Sequence, residues 1–388
     1  MRIIPIGIKK MKKSPFIFGN TVSVKAFTNR KKDKKKLYDN LIHGINSIIV
    51  SPRRWGKSSL VEKVFLDISK KEKRIRLVNI DLFSVSDENE FLEKFAQEVI
   101  KASASRLEDW LKNIKTFFKA LVPEIILGSD PLNDFSIRFS VGEIKKHKDE
   151  ILNLPEQIAQ NKNIKFIIGL DEFQHIANYA DFENLEKKLR AVWQRQKNVT
   201  YCLYGSKRHM MMNIFNNSSK PFYRFGDIMM LQKIDRKDWV AFITKSFDET
   251  DKKISNKHAG SIADLMQNHS WYVQQLAHYV WVQTAKQTDE DVIQSALNEI
   301  VAANKPLYQR EIEIMSGTQL NLLKAVAAGE KHLTAAAVMQ QYKLGTPRNV
   351  SKNKAMLIRN DVIDTDIDKN YYFLDPVFEL WFRQEFMQ

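Results

Sequence analysis

Only one cysteine, Cys202, occurs in the 388 residues, so a disulfide scaffold is excluded and a reducing cytoplasm is the expected setting. Cys202 lies inside an apolar run, which points to a small core residue. No apolar stretch reaches the ~18 residues of a membrane helix, so no membrane partner is expected. The opening MRIIPIGIKKMKK is not expected to be a secretory signal, because its apolar run is short and its charges follow that run. The eight histidines show no metal-ligand spacing, and neither a Ser-His-Asp set nor a Cys-His pair is apparent. Internal repeats are absent, as are low-complexity tracts beyond the lysine runs. Acids are scarce at the start. Residues 1–60 hold 15 Lys or Arg against Asp33 and Asp39, which is +13 of the chain's +15. Such an end fits an anionic partner, either nucleic acid or an acidic protein surface, or else a solvated tail.

What is present is an ordinary globular composition, 44% apolar and 28% charged, at a length that predicts two or three domains. Strand and helix patterns alternate after the basic start. Ile45 to Val50 reads as a buried strand, and Ser58 to Lys70 has helical spacing. Further strands are expected at Arg74 to Asp81, Lys165 to Leu170, Val199 to Tyr204 and Ile228 to Leu231. A helix is expected over about 181–196, and a mostly helical stretch over 87–160, interrupted near Pro123 and Gly128 to Pro131. Short apolar strands joined by helices predict a parallel sheet covered on both faces. Beyond Ile234 the pattern becomes helical up to Asn304. From about Ser316, three helices and two short strand-like pieces, Val362 to Asp364 and Tyr371 to Leu374, follow the order of a winged helix-turn-helix.

The segment Ser51-Pro52-Arg53-Arg54-Trp55-Gly56-Lys57-Ser58-Ser59 follows the first strand and opens the first amphipathic helix. A phosphate loop needs backbone N–H groups that converge on an anion, a lysine for the β and γ phosphates, and a hydroxyl for Mg²⁺. Gly56, Lys57 and Ser58 supply one of each, and the helix N-terminus adds its dipole. A second motif, Phe166 to Glu172, ends a buried strand in two carboxylates. In such a sheet Asp171 is expected to hold Mg²⁺ through water, and Glu172 to polarise an attacking water. The next strand ends in Gly205-Ser206, where Ser206 is a candidate γ-phosphate sensor and equally a helix N-cap. Charge on the transferred phosphoryl group calls for an arginine. Arg224, just before the fifth strand, is the favoured candidate and is expected at the ligand edge of the sheet; Arg53, Arg54 and Arg208 are the others.

Together these residues resemble the archaeal-type ATPase family of the AAA+/STAND P-loop group. Phe27-Thr28-Asn29-Arg30 matches its F-x-N-R, and Pro52 to Leu60 its P-R-R-x-G-K-[ST]-S-L. Asp171-Glu172-Phe173-Gln174, Gly205-Ser206, Pro221-Phe222-Tyr223-Arg224 and Asp375 to Arg383 match its later motifs. The likeness covers about residues 20–386. It departs at Ser51, where the family has a glycine, and at Asn268-His269-Ser270-Trp271-Tyr272, where the family has G-H-P-Y. The resemblance implies an α/β P-loop NTPase with a RecA-like parallel sheet, an all-α lid and a winged-helix domain, using ATP/ADP and Mg²⁺. It places Asn29 and Arg30 near the base or the lid.

The expected organisation is a basic tail (1–20), an ATPase core (21–234) with a helical insertion (87–160), a lid (235–310) and a winged helix (311–388). The expected activity is Mg-dependent hydrolysis of ATP to ADP and phosphate by a nucleotide-driven conformational switch. The alternative is a winged-helix DNA-binding protein with a mainly structural or regulatory nucleotide site. Its candidate recognition helix begins at Pro347 and carries Arg348, Lys352, Lys354 and Arg359. Residues 316–388 hold nine basic and eight acidic side chains, little for a dedicated DNA binder, so a protein partner is the competing use of this domain. Oligomerisation is expected if Arg224 acts across a subunit boundary.

Overall fold

A computed structural model describes residues 13–19, 30–103, 124–127, 135–366 and 369–387. The described chain divides into two compact units, Arg30–Gln232 and a second made of 233–387 with 13–19.

The first unit begins with α1 (Lys31–Ile42), β1 (Ser47–Val50), α2 (Lys57–Lys71), β2 (Ile75–Asp81) and α3 (Glu88–Ser103). It continues with β3 (Glu124–Leu127), β4 (Phe135–Arg138), α4 (Val141–Lys162) and β5 (Lys165–Asp171), followed by a 3-10 turn at Phe173–Asn178. It ends with α5 (Phe182–Trp193), β6 (Val199–Gly205), α6 (Arg208–Asn216) and β7 (Asp227–Met230). Five strands form one parallel sheet in the order β2-β5-β6-β1-β7. Every residue of β1 and β6 is buried, as the continuous apolar runs require of central strands covered on both faces. Cys202 lies in β6 as a free, fully buried core residue.

The register sets up the site. Val50 pairs with Gly205, and Asp81 pairs with Asp171. The loops that follow β1, β5 and β6 therefore leave from one edge of the sheet. Two glycines record close packing here. A Cβ on Gly205 would sit 2.0 Å from Gln174 Oε1, and one on Gly169 would sit 2.6 Å from Asn79 Oδ1.

The stretch 87–160 is not helical apart from its breaks. It also contains the antiparallel pair β3–β4, with Glu124 opposite Arg138 and Leu127 opposite Phe135. The four-residue run Glu124–Leu127 beside Pro123 carries too little periodicity to separate strand from helix. In the basic stretch at the start of this unit, α1 ties Lys34 to Asp67 and Lys36 to Asp227, while Lys31, Lys32 and Lys35 stay exposed.

The second unit holds α7 (Arg236–Asp248), α8 (Asn256–Leu265), α9 (Ser270–Gln283) and α10 (Glu290–Glu313). Then follow α11 (Gly317–Ala327), α12 (Ala336–Gln341), α13 (Pro347–Arg359), β8 (Ile363–Thr365), β9 (Tyr371–Phe373) and α14 (Pro376–Phe386). The last two strands pair antiparallel as the wing. One hydrophobic cluster runs from Trp239 and Ile243 through Leu276 and Ile300 to Leu323, Phe378 and Trp381. The departures from G-H-P-Y leave the backbone intact. Asn268 takes the left-handed φ of 59° that a glycine would take, which asparagine tolerates, and Ser270 opens α9 where a proline would fit equally.

The described part of the basic tail is not solvated throughout. Phe16 is buried against Phe242 and Phe247, Ile17 N–H donates to Gln274 Oε1 at 3.2 Å, and Ser14 Oγ lies 2.8 Å from His278 Nδ1. The remainder of 1–20 lies outside the described residues. Among the described residues no helix is long and apolar enough to cross a membrane.

Candidate functional site

The phosphate loop connects β1 to α2. Ser51 is buried, its N–H donating to Gly205 O at 3.4 Å and its hydroxyl to Pro52 O at 3.2 Å. Its φ is not positive, so the missing glycine leaves no backbone strain at this position. Arg54 and Gly56 are left-handed, at φ 64° and 91°. That alternation around Trp55 curls the backbone so that successive N–H groups face one concavity, the geometry of an anion nest. Open space surrounds the position a Cβ would take on Gly56. Pro52 is half-buried, Arg53 and Arg54 are exposed, and Trp55 and Ser59 are buried.

Lys57 and Ser58 open α2 and meet the end of β5. The Lys57 amine lies 2.7 Å from Glu172 Oε1 and 3.8 Å from Asp171 Oδ1. Ser58 Oγ donates to Asp171 Oδ2 at 2.8 Å. Glu172 takes a left-handed φ of 50°, which turns its carboxylate back over the sheet edge, and its N–H donates to Asp171 Oδ1 at 2.8 Å. Ser206, directly after β6, donates to Glu172 Oε2 through its hydroxyl at 2.8 Å and its backbone N–H at 3.2 Å. It makes no N-cap bond for α6, whose flanking residue is Lys207. Gln174 also donates to Glu172 Oε2, at 2.5 Å.

The two carboxylates are driven apart. Burial would raise Glu172, but Lys57, Gln174 and Ser206 outweigh it and lower its pKa from 4.5 to about 2. For Asp171, burial wins over Lys57 and Ser58, so its pKa is raised. Glu62 is raised by burial first and then by the neighbouring Asp171 carboxylate, which marks a third acidic side chain close to Asp171. The donor set suits Mg²⁺, since a hydroxyl and a carboxylate oxygen 2.8 Å apart beside a phosphate cradle are hard oxygen ligands.

The whole chain compares with known folds at this level. It is similar to a Walker-type ATPase of Pyrococcus abyssi, with a TM-score of 0.66, 16% identity, and 95% of this chain and 99% of that chain covered. It is also similar to the ORC2 protein of Aeropyrum pernix in ADPNP–ADP complexes, with a TM-score of 0.54, 14% identity, and 92% and 95% covered. This is the P-loop ATPase fold. A family model described as a probable winged helix domain matches residues 306–384, which hold α11–α13, the β8–β9 wing and most of α14. No curated protein matches the sequence. The likeness to archaeal ATPases that the motifs predicted therefore extends to the fold.

Within this P-loop fold most of the expected site residues converge, but Arg224 does not. It precedes β7, whose first residue Asp227 pairs with Ser47 at the start of β1. Asn46 Nδ2 donates to Phe225 O at 3.3 Å, so Arg224 lies at the edge of the sheet opposite the phosphate loop, about one length of β1 or 10 Å away. The error was one of direction, because a residue before a strand of a parallel sheet sits at its N-terminal edge. Arg224 is exposed there and stacks on its own Tyr223 ring, 5.1 Å from the centroid. Asn29 lies outside the described residues. Arg30 is buried, and its guanidinium bonds backbone carbonyls.

Gln174 was not read as a site residue, although it stands inside Asp171-Glu172-Phe173-Gln174. It is 1% exposed and its amide spans from Glu172 to the Gly205 backbone. The sequence signals were its place in that motif and a polar side chain directly after the apolar Phe173. A second missed pair is Tyr204 and Asn79, joined by a 2.7 Å hydrogen bond across β6 and β2.

Proposed function

We propose that the chain binds ATP with Mg²⁺ at the phosphate loop and hydrolyses it to ADP and phosphate as a slow, nucleotide-driven switch. The observation that carries this reading is the convergence of Lys57, Ser58, Asp171, Glu172 and Ser206 on one sheet edge. Lys57 carries the charge that a β,γ-phosphate pair requires, and the Gly56 nest supplies N–H donors. Ser58 and Asp171 would hold Mg²⁺, which when bound supplies Lewis-acid charge neutralisation. Glu172, ionised and aimed by Ser206 and Gln174, accepts the proton of the attacking water. Ser206 contacts the same carboxylate oxygen, so it is placed to report a change there. Pro52, Arg53, Arg54, Trp55 and Ser59 complete the loop around the phosphates.

The test is nucleotide identification on the purified protein, followed by phosphate release with ATP and Mg²⁺. Lys57→Ala should abolish nucleotide binding. Glu172→Gln should keep binding and lose turnover by about 10²-fold or more. Wild-type turnover in the Glu172→Gln variant would remove the assignment, and no nucleotide binding by the wild type would remove the whole reading.

The second reading is a winged-helix DNA binder with a structural or regulatory nucleotide site. It draws support from Arg348 and Lys352, which are exposed on α13. Steep salt dependence of duplex binding would favour it. Without such binding, the winged helix is a module for protein contacts. A reducing cytoplasm is the proposed setting for either reading.

A further inference from the structure

Arg30 is 6% exposed, and both its terminal nitrogens are hydrogen-bonded. Nη2 donates to the Trp55 carbonyl at 2.7 Å, while Nη1 donates to the Gln232 carbonyl at 2.8 Å and to Asp33 Oδ2 at 3.3 Å. Burying a guanidinium is costly, and here only one partly exposed carboxylate and two carbonyls offset it. An apolar side chain would fill the same volume at lower cost, so the reason for an arginine lies in what it grips.

One grip is on the phosphate loop. The Trp55–Gly56 peptide is trans, so its C=O and N–H point to opposite sides. Holding the Trp55 carbonyl on the Arg30 side turns the Gly56 N–H the other way, within the curl made by Arg54 and Gly56. The other grip is on Gln232, the last residue of the P-loop unit, of which Arg30 is the first. One side chain therefore holds the two ends of the unit and the loop between β1 and α2.

We propose that Arg30 is a positioning residue that orients the Gly56 amide of the phosphate loop and ties this loop to the point where the chain leaves the P-loop unit. Phosphate occupancy is thereby felt at residues 231–234. The first half needs only the loop; the second rests on the nucleotide reading above.

Hydrogen exchange on the full chain tests both halves, with wild type, Arg30→Met and Arg30→Lys. Without nucleotide, amides 55–58 should exchange on the order of tenfold faster in Arg30→Met while β5 and β6 stay unchanged. Arg30→Lys, which can reach one carbonyl, should fall between, and it decides the matter if the methionine variant does not fold. With ATP and Mg²⁺, the wild type should gain protection at 55–58 and 231–234. Arg30→Met should bind ATP about tenfold more weakly and gain none at 231–234. Wild-type exchange at 55–58 in both variants would overturn the proposal, as would acceleration spread evenly over β5 and β6. Failure of ATP to protect the wild type anywhere would sink the nucleotide reading, while the exchange comparison without nucleotide still decides the hold on the loop.

Discussion

Glu172 is held by donors from three residues, Lys57, Gln174 and Ser206, which oppose the effect of its burial. Because its folded pKa of about 2 lies below the ordinary 4.5, its contribution to stability is complete above about pH 4.5 and is lost as pH falls towards 2. Gln174→Met removes one donor and leaves burial unopposed by it, so the folded pKa rises and the loss begins at higher pH. Urea unfolding measured from about pH 2 to about pH 6 should show that upward displacement. An unchanged profile would mean that the Gln174 amide does not bear on the carboxylate. Single residues of this kind were partly legible in the sequence. Lys57, Ser58, Asp171 and Glu172 follow from a strand, a loop and a helix in series, because each sits at a fixed step from an apolar run. Gln174 and the need for glycine at 205 were not, because a 2.0 Å clash between residues 31 positions apart has no local signature.

At the scale of elements, Asp375 joins three helices. It caps α14 by accepting the N–H groups of Val377 and Phe378 at 2.9 and 3.0 Å. Its other oxygen accepts the hydroxyl of Tyr272 on α9 and, at 3.2 Å, that of Tyr308 on α10. Asp375→Ala removes the cap and the acceptor that two partly buried hydroxyls share, for an expected loss of about 2–3 kcal/mol. Asp375→Asn keeps a cap acceptor and should lose less. Denaturant unfolding checks the order, and equal losses would mean that the cap contributes nothing. The elements themselves were largely readable. The five sheet strands and α2 appear within a few residues of their expected places, because buried parallel strands read as continuous apolar runs. The wing was readable from Tyr371 to Leu374 by its aromatic run. The β3–β4 pair was not, since Glu124 to Leu127 offers neither alternation nor a helical stripe. Direction was legible as well: a residue just before a strand of a parallel sheet sits at its N-terminal edge, which places Arg224 away from the phosphate loop.

At the scale of the molecule, two separate cores are packed, one around the parallel sheet and one shared by α7–α10 and the winged helix. The edge occupied by Arg224 adds a condition on oligomeric state. Arg224 is exposed and cannot reach the Lys57 end of its own sheet, so any service to a phosphoryl group must be given to a second copy of the chain. Two inactive variants should then rescue each other. Lys57→Ala lacks a nucleotide site but keeps Arg224, and Arg224→Ala keeps the site but lacks the arginine. Each alone should lose turnover, Arg224→Ala by about 10³-fold if the residue behaves as an arginine finger. An equimolar mixture should recover activity, rising more than linearly with total protein concentration. A mixture no more active than its parts, together with wild-type turnover strictly linear in concentration, would confine Arg224 to the surface and leave Arg53 and Arg54 of the loop and Arg208 of α6 as the remaining candidates.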